Sequence, residues 1–186
     1  MKLRKIISGG QTGADQAGLE AAKSCLLETG GWAPKGWFTE DGPRHGLLKG
    51  FGLCECGSGY AERTRLNVKD SDATIRFALD FNSKGERCTK RAIEDFDKLY
   101  FDVNLNDPPP PAEVAQWLDE NNIEVLNVAG NSQSKSRGLI DIFERTHWFL
   151  IQVFACLLDI DLIRSEYFNE DENLDLYLTG QTSGRK

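Results

Sequence analysis

Residues 8–15 read Ser8-Gly9-Gly10-Gln11-Thr12-Gly13-Ala14-Asp15 and follow the short strand-like run Leu3 to Ile7. A glycine-rich turn between a strand and a helix points free N–H groups and the positive end of the helix dipole at one spot. That is the chemistry of a site for phosphate or a similar oxyanion. Thr12 adds a hydroxyl donor, and Asp15 suits either a helix cap or a ligand hydroxyl. The plainer reading is that Gly9, Gly10 and Gly13 only permit a tight turn. No Lys-Ser or Lys-Thr follows the glycines and the spacing is not G-x-G-x-x-G, so neither common nucleotide loop fits. On the phosphate reading, a side chain at Gly13 would fill the space of a phosphate oxygen and leave the fold intact.

A second group is Arg63-Thr64-x-x-Asn67-x-x-Asp70-Ser71-Asp72. Arg63, Asn67 and Asp70 are spaced at four and three and share one face of a helix; a solvated charged face would read the same way. Cys54-Glu55-Cys56 with His45 imitates a metal site, but the spacing is C-x-C with no second half, so no protein-bound metal is expected. With two histidines in the chain, no Ser/His/Asp or Cys/His arrangement is readable and no catalytic residue is assigned. A net charge of −7 argues against nucleic acid and anionic membranes as partners. Five cysteines, an odd number, fit reduced thiols. No signal peptide is readable, and the longest apolar run, Trp148 to Leu158, is too short to span a bilayer. A cytoplasmic location is expected.

Strand-like and helix-like segments alternate along the chain. They predict an α/β fold with a doubly wound, mainly parallel sheet and helices on both faces. The small residues Ala14, Ala17, Gly18, Ala21, Ala22 and Cys25 form a stripe that lets the first helix lie close on the sheet. Gly30-Gly31 reads as a stop. Residues 32–61, rich in glycine and aromatics, read as a long excursion that either covers a site or packs on the surface. Ligands of open parallel sheets bind at the carboxyl ends of strands. Three polar segments fall there: residues 8–15, residues 127–131, and the loop after Leu79. One domain is expected over residues 1–164, with an acidic, partly mobile extension over 165–186 carrying Glu166, Glu170, Asp171, Glu172 and Asp175. Trp148 to Phe154 is apolar around a whole helix, which predicts a homo-oligomer, a dimer or tetramer, unless the C-terminal tail covers it.

Five strings, SGGQTGAD (8–15), GGWAPKG (30–36), TEDGP (39–43), ERT–N–DSDAT (62–74) and LNVAG (126–130), carry a resemblance spanning about residues 3–158. The chain resembles the putative molybdenum carrier family, the circularly permuted YpsA-like branch of the Rossmann-like SLOG superfamily. The resemblance implies a Rossmann-like binding protein, a carrier or sensor, for a small anionic ligand: a nucleotide, or a molybdenum cofactor of molybdopterin type. It implies a phosphate nest of Gly9, Gly10, Gln11, Thr12, Gly13 and Asp15. Arg63, Thr64, Asn67, Asp70, Ser71 and Asp72 would line the rim, and Asn127 and Gly130 the far side. The alternative is an enzyme of nucleoside-phosphate N-glycosidase type, although the Pro-Gly-Gly-x-Gly-Thr-x-x-Glu motif of those hydrolases is absent. Glu86 stands where the family carries a threonine, and a carboxylate there would repel a phosphate unless Arg87 or Lys84 compensates.

Overall fold

A computed structural model describes residues 2–158, except the side chain of Leu158; the acidic 165–186 extension lies outside the described residues. The elements run β1 (Lys5–Ser8), α1 (Ala14–Ser24), β2 (Glu28–Ala33), β3 (Phe38–Thr39), β4 (Gly42–Pro43), α2 (His45–Gly50), β5 (Leu53–Glu55) and α3 (Tyr60–Lys69). Then follow β6 (Ala73–Ala78), α4 (Lys84–Asp95), β7 (Leu99–Asn104), α5 (Pro111–Glu120), β8 (Val125–Gly130), a 3-10 turn (Gln133–Ser136) and α6 (Ile142–Leu158). Six strands form one sheet in the order β5-β2-β1-β8-β6-β7, every pair parallel, and β3 and β4 form a separate small hairpin. This is the α/β Rossmann-like architecture expected from the alternation of elements.

Strand alternation divides the sheet into two chemically different faces. Ile6, Ala73, Ile75, Phe77, Leu126 and Val128 join the core formed with α1, α5 and α6. Ile7, Asn127, Thr74 and Arg76 occupy the alternate positions, on the side of α3 and α4. Gly18 accounts for the close seat of α1, because a Cβ there would lie 2.6 Å from a Val128 methyl. The α6 residues Phe149, Leu150, Ile151, Val153 and Phe154 are buried against α1 and α5. Most of the run on which the expected oligomer rests is thus buried within the chain, while Trp148 stays half-buried.

Residues 32–61 are more ordered than an excursion. They complete β2 and contribute the hairpin, α2 and a sixth strand, β5. Gly30 and Gly31 do not stop an element; both lie inside β2. Gly31 has φ +120°, and a Cβ there would sit 2.3 Å from the carbonyl oxygen of Ser8 and 2.7 Å from Asn67 Oδ1. Close backbone approach, not chain termination, is what requires a glycine here.

Candidate functional site

The carboxyl ends of β1, β6 and β8 open into a cavity of about 450 Å³, within the range of small-ligand pockets. Four segments meet there. The glycine turn supplies Gly9, Gln11 and Asp15, and α3 supplies Tyr60, Arg63, Thr64 and Asn67. The loop after β6 and the start of α4 supply residues 83–86 with Cys88 and Thr89; β8 and its exit supply Asn127, 129–132 and Lys135. All three polar segments expected at strand ends meet at this cavity.

Asp15, in the first turn of α1, is 3% exposed. Its carboxylate takes Arg63 Nη1 at 2.6 Å and the Gln11 N–H at 3.2 Å, with a further hydrogen bond from the Gly130 backbone. Burial pushes this carboxyl above its usual range, against the pull of Arg63. Gly9 leaves the room through which Arg63 reaches Asp15: a Cβ at Gly9 would overlap Arg63 Nη1 at 1.5 Å.

The amides of the glycine turn are largely taken by the chain itself. Thr12 N–H donates to Gln11 Oε1 at 2.9 Å, Ala14 N–H to the Asn131 carbonyl at 3.2 Å, and Gln16 N–H to the Gln11 carbonyl at 3.1 Å. Gly10 faces Leu48 and Leu53 of the neighbouring elements, and the Thr12 hydroxyl donates to Glu40 at 2.8 Å. Gly13 faces backbone, not ligand space: a Cβ would sit 2.7 Å from both Asn131 O and Gln133 N, at φ +79° and ψ −127°. This overturns the expectation that a side chain at Gly13 spares the fold. Gly13→Ala is expected to cost about 1–3 kcal/mol, from strain and from displacement of residues 131–133. A urea midpoint within error of the parent protein would refute this.

Of the rim residues read from α3, Arg63, Thr64 and Asn67 line the cavity. Asn67 nonetheless gives its amide to structure, accepting from Trp32 N–H at 2.9 Å and donating to Trp32 O at 3.1 Å. Asp70, Ser71 and Asp72 lie outside the cavity lining, at the approach to the amino end of β6. Asp70 accepts from Trp32 Nε1, Ser71 Oγ donates to Val68 O, and Asp72 accepts from the N–H groups of Glu124 and Val125. In this parallel fold α3 returns against the strand direction. Seven residues of helix then separate Arg63 from Asp70 by about 10 Å, even on one face.

The sequence reading named Glu86 but missed Arg76, the cation that faces it. Glu86, at 2% exposure, accepts from Asn131 Nδ2 at 3.0 Å; its other oxygen lies 3.9 Å from Arg76 Nη1 and has no hydrogen-bond partner. Arg76 also donates through Nε to Asp102 at 2.7 Å and through Nη1 to the Glu86 carbonyl at 3.2 Å. Charge balance at Glu86 thus comes from Arg76 beneath it; Arg87 is turned away to the Asn82 carbonyl. With one guanidinium between two carboxylates, burial dominates and pushes the Glu86 carboxyl up to about 7. An arginine inside an otherwise buried strand, paired across the register with Asp102, was the readable signal.

Ser83 Oγ caps α4 by accepting from Glu86 N–H at 3.3 Å. The amides of Lys84 and Gly85 lie in the first turn of α4, where a helix offers N–H groups with no intrahelical acceptor, and both residues line the cavity with Lys135. Arg63 Nε lacks a hydrogen-bond partner among the described residues. His45 packs edge-on against Trp37, and Cys56 Sγ lies 3.3 Å from the Ser58 carbonyl. Among the described residues, no three His, Cys, Asp or Glu side chains cluster as a metal site, and no helix is long and apolar enough to cross a membrane.

An open parallel sheet flanked by helices, with a polar cavity at its carboxyl edge, defines a Rossmann-like α/β fold. The family model described as the circularly permutated YpsA SLOG family matches residues 6–154, and the chain belongs to that family. It is similar to the crystal structure of a putative molybdenum carrier protein from Syntrophus aciditrophicus SB. The two are 33% identical with a TM-score of 0.72, over 82% of this chain and 95% of that one. No curated protein matches the chain.

Proposed function

We propose that the chain is a carrier or sensor that holds a small anionic ligand, nucleotide-derived or of molybdopterin type, without turning it over. The observation that carries this reading is the cavity itself. It combines a ligand-sized volume with Arg63, Lys84, Lys135 and the first-turn amides of α4 on its walls. The similarity to a protein named as a molybdenum carrier supports it. Molybdenum would enter as part of the ligand, held by hydrogen bonds to that ligand, since the walls offer donors and cations in place of a metal-ligand cluster.

Mass spectrometry of the protein purified natively and anaerobically is expected to find a nucleotide or a molybdopterin species bound. The identified ligand, at a hundred times its dissociation constant, should raise the melting midpoint by roughly 5–10 °C. No bound species, and no shift with any nucleotide or pterin phosphate, would refute the reading.

One observation favours the N-glycosidase alternative: a buried carboxyl in the cavity wall that titrates near neutrality, as a general acid must. Its oxygens, however, face Asn131 and Arg76. Release of free base from AMP is therefore expected to be absent. Turnover on the order of 1 per second or faster would reverse that choice.

A further inference from the structure

Glu40, at the tip of the β3–β4 hairpin, puts its carboxylate into a cradle built by two other segments. Oε2 accepts from Thr12 Oγ1 at 2.8 Å and from the Ser134 N–H at 3.2 Å. Oε1 accepts from Ser132 Oγ at 2.5 Å and from the Ser134 hydroxyl. Its own N–H donates to Gln11 Oε1 at 2.7 Å. Four donors thus converge on two oxygens of a surface carboxylate, and they hold it below the usual carboxylate range despite its partial burial.

The geometry points to a binding site for a tetrahedral oxyanion, phosphate or a phosphate monoester, formed by Thr12, Ser132 and Ser134, in which the Glu40 carboxylate is a built-in stand-in for the ligand. Three features support an exchangeable occupant. Every donor is a neutral hydroxyl or amide, so the cradle suits any small oxyanion and does not depend on a carboxylate. Of the donor residues Ser132 also lines the cavity, as do Gln11 and Lys135, so the cradle adjoins that cavity. The hairpin that carries Glu40 has only two residues per strand, and Phe38 and Glu40 on it are exposed; besides the cradle it is held by buried Thr39, the Glu40 N–H to Gln11 and the Tyr60 hydroxyl to Phe38 O. A tethered carboxylate competes at high effective concentration, which keeps the site closed until a better anion arrives. The proposal stands apart from the cavity reading and is tested with the bare ion.

Glu40→Ala opens the cradle. In chloride it should melt below the parent protein. Inorganic phosphate or acetate at about ten times its dissociation constant should raise its midpoint by about 3–6 °C. The parent protein in the same salts should move by less than about 1 °C, and Ser132→Ala with Ser134→Ala on the Glu40→Ala background should not respond. Comparing AMP with adenosine plus phosphate distinguishes a ligand-borne phosphate from the free ion. If Glu40→Ala responds no more than the parent, or the triple variant responds equally, Glu40 is a strut and the proposal is wrong. Should Glu40→Ala not fold in chloride, refolding in phosphate at matched ionic strength is the readout, with Glu40→Gln alongside. Recovery in phosphate supports the site. Failure in both salts, with Glu40→Gln unresponsive to phosphate, overturns it.

Discussion

Arg63→Ala is expected to destabilise the protein by about 3–5 kcal/mol at pH 8, lowering the melting midpoint by about 6 °C or more. The substitution leaves Asp15 buried at 3% exposure with two backbone amides and no cation. The sign of the pH dependence follows from the same geometry. The Asp15 carboxyl already lies above its usual range because of burial, and the Arg63 charge pulls it down. Without Arg63 it rises further, so the native state holds its proton to higher pH than the unfolded chain does. Stability is then largest below the unfolded carboxyl range and falls as pH rises through the folded one. The loss should be smaller at pH 5 than at pH 8. Asp15→Asn on the Arg63→Ala background should recover part of it at pH 8 by removing the orphaned charge. Urea unfolding of the variants at both pH values checks this. A cost below about 1 kcal/mol at pH 8 would mean that water reaches Asp15 and the pair is no determinant of the fold.

Glu86→Gln is expected to change the pH profile of stability more than its level at acid pH. The Glu86 carboxyl is raised from 4.5 to about 7, chiefly by burial. The charged form is therefore disfavoured in the native state. The stability linked to its protonation is fully present below about pH 4.5 and is lost between 4.5 and 7. The total is about 3 kcal/mol. Arg76, Asp102, Asp15 and Asn131 are the groups facing it, and all four remain in the variant. Glutamine keeps an acceptor for Asn131 and has nothing to ionise. Relative to the parent, the variant should gain about 3 kcal/mol from pH 4.5 to pH 8. Residual slopes come from Asp15, and in the opposite sense from Glu40 and from His147, whose imidazole burial pushes down. Parallel profiles for the two proteins would show that the Glu86 carboxyl is not raised in the native state.

The small-residue stripe of α1 and the order of elements were legible, because each depends on neighbours in sequence. So was the meeting of three polar segments at the carboxyl ends of strands, since a parallel sheet requires it. Gly30-Gly31 misled because a glycine is locally a breaker, whereas here its lack of a side chain serves contacts with Ser8 and Asn67. The three-and-four spacing of Arg63, Asn67 and Asp70 identified a face, but the direction in which α3 returns decides which end of that face meets the cavity.

What the residues determined alone is the glycine turn and the alternation of elements, because backbone sterics and side-chain period act over a few positions. Only the tertiary structure decided which charges meet. Arg63 reaches Asp15 across 48 positions, Arg76 stands between Glu86 and Asp102, and Glu40 crosses 92 positions to Ser132. The reason is physical. A buried charge must find a partner wherever the fold brings one, and sequence spacing carries no information about contacts made through folding.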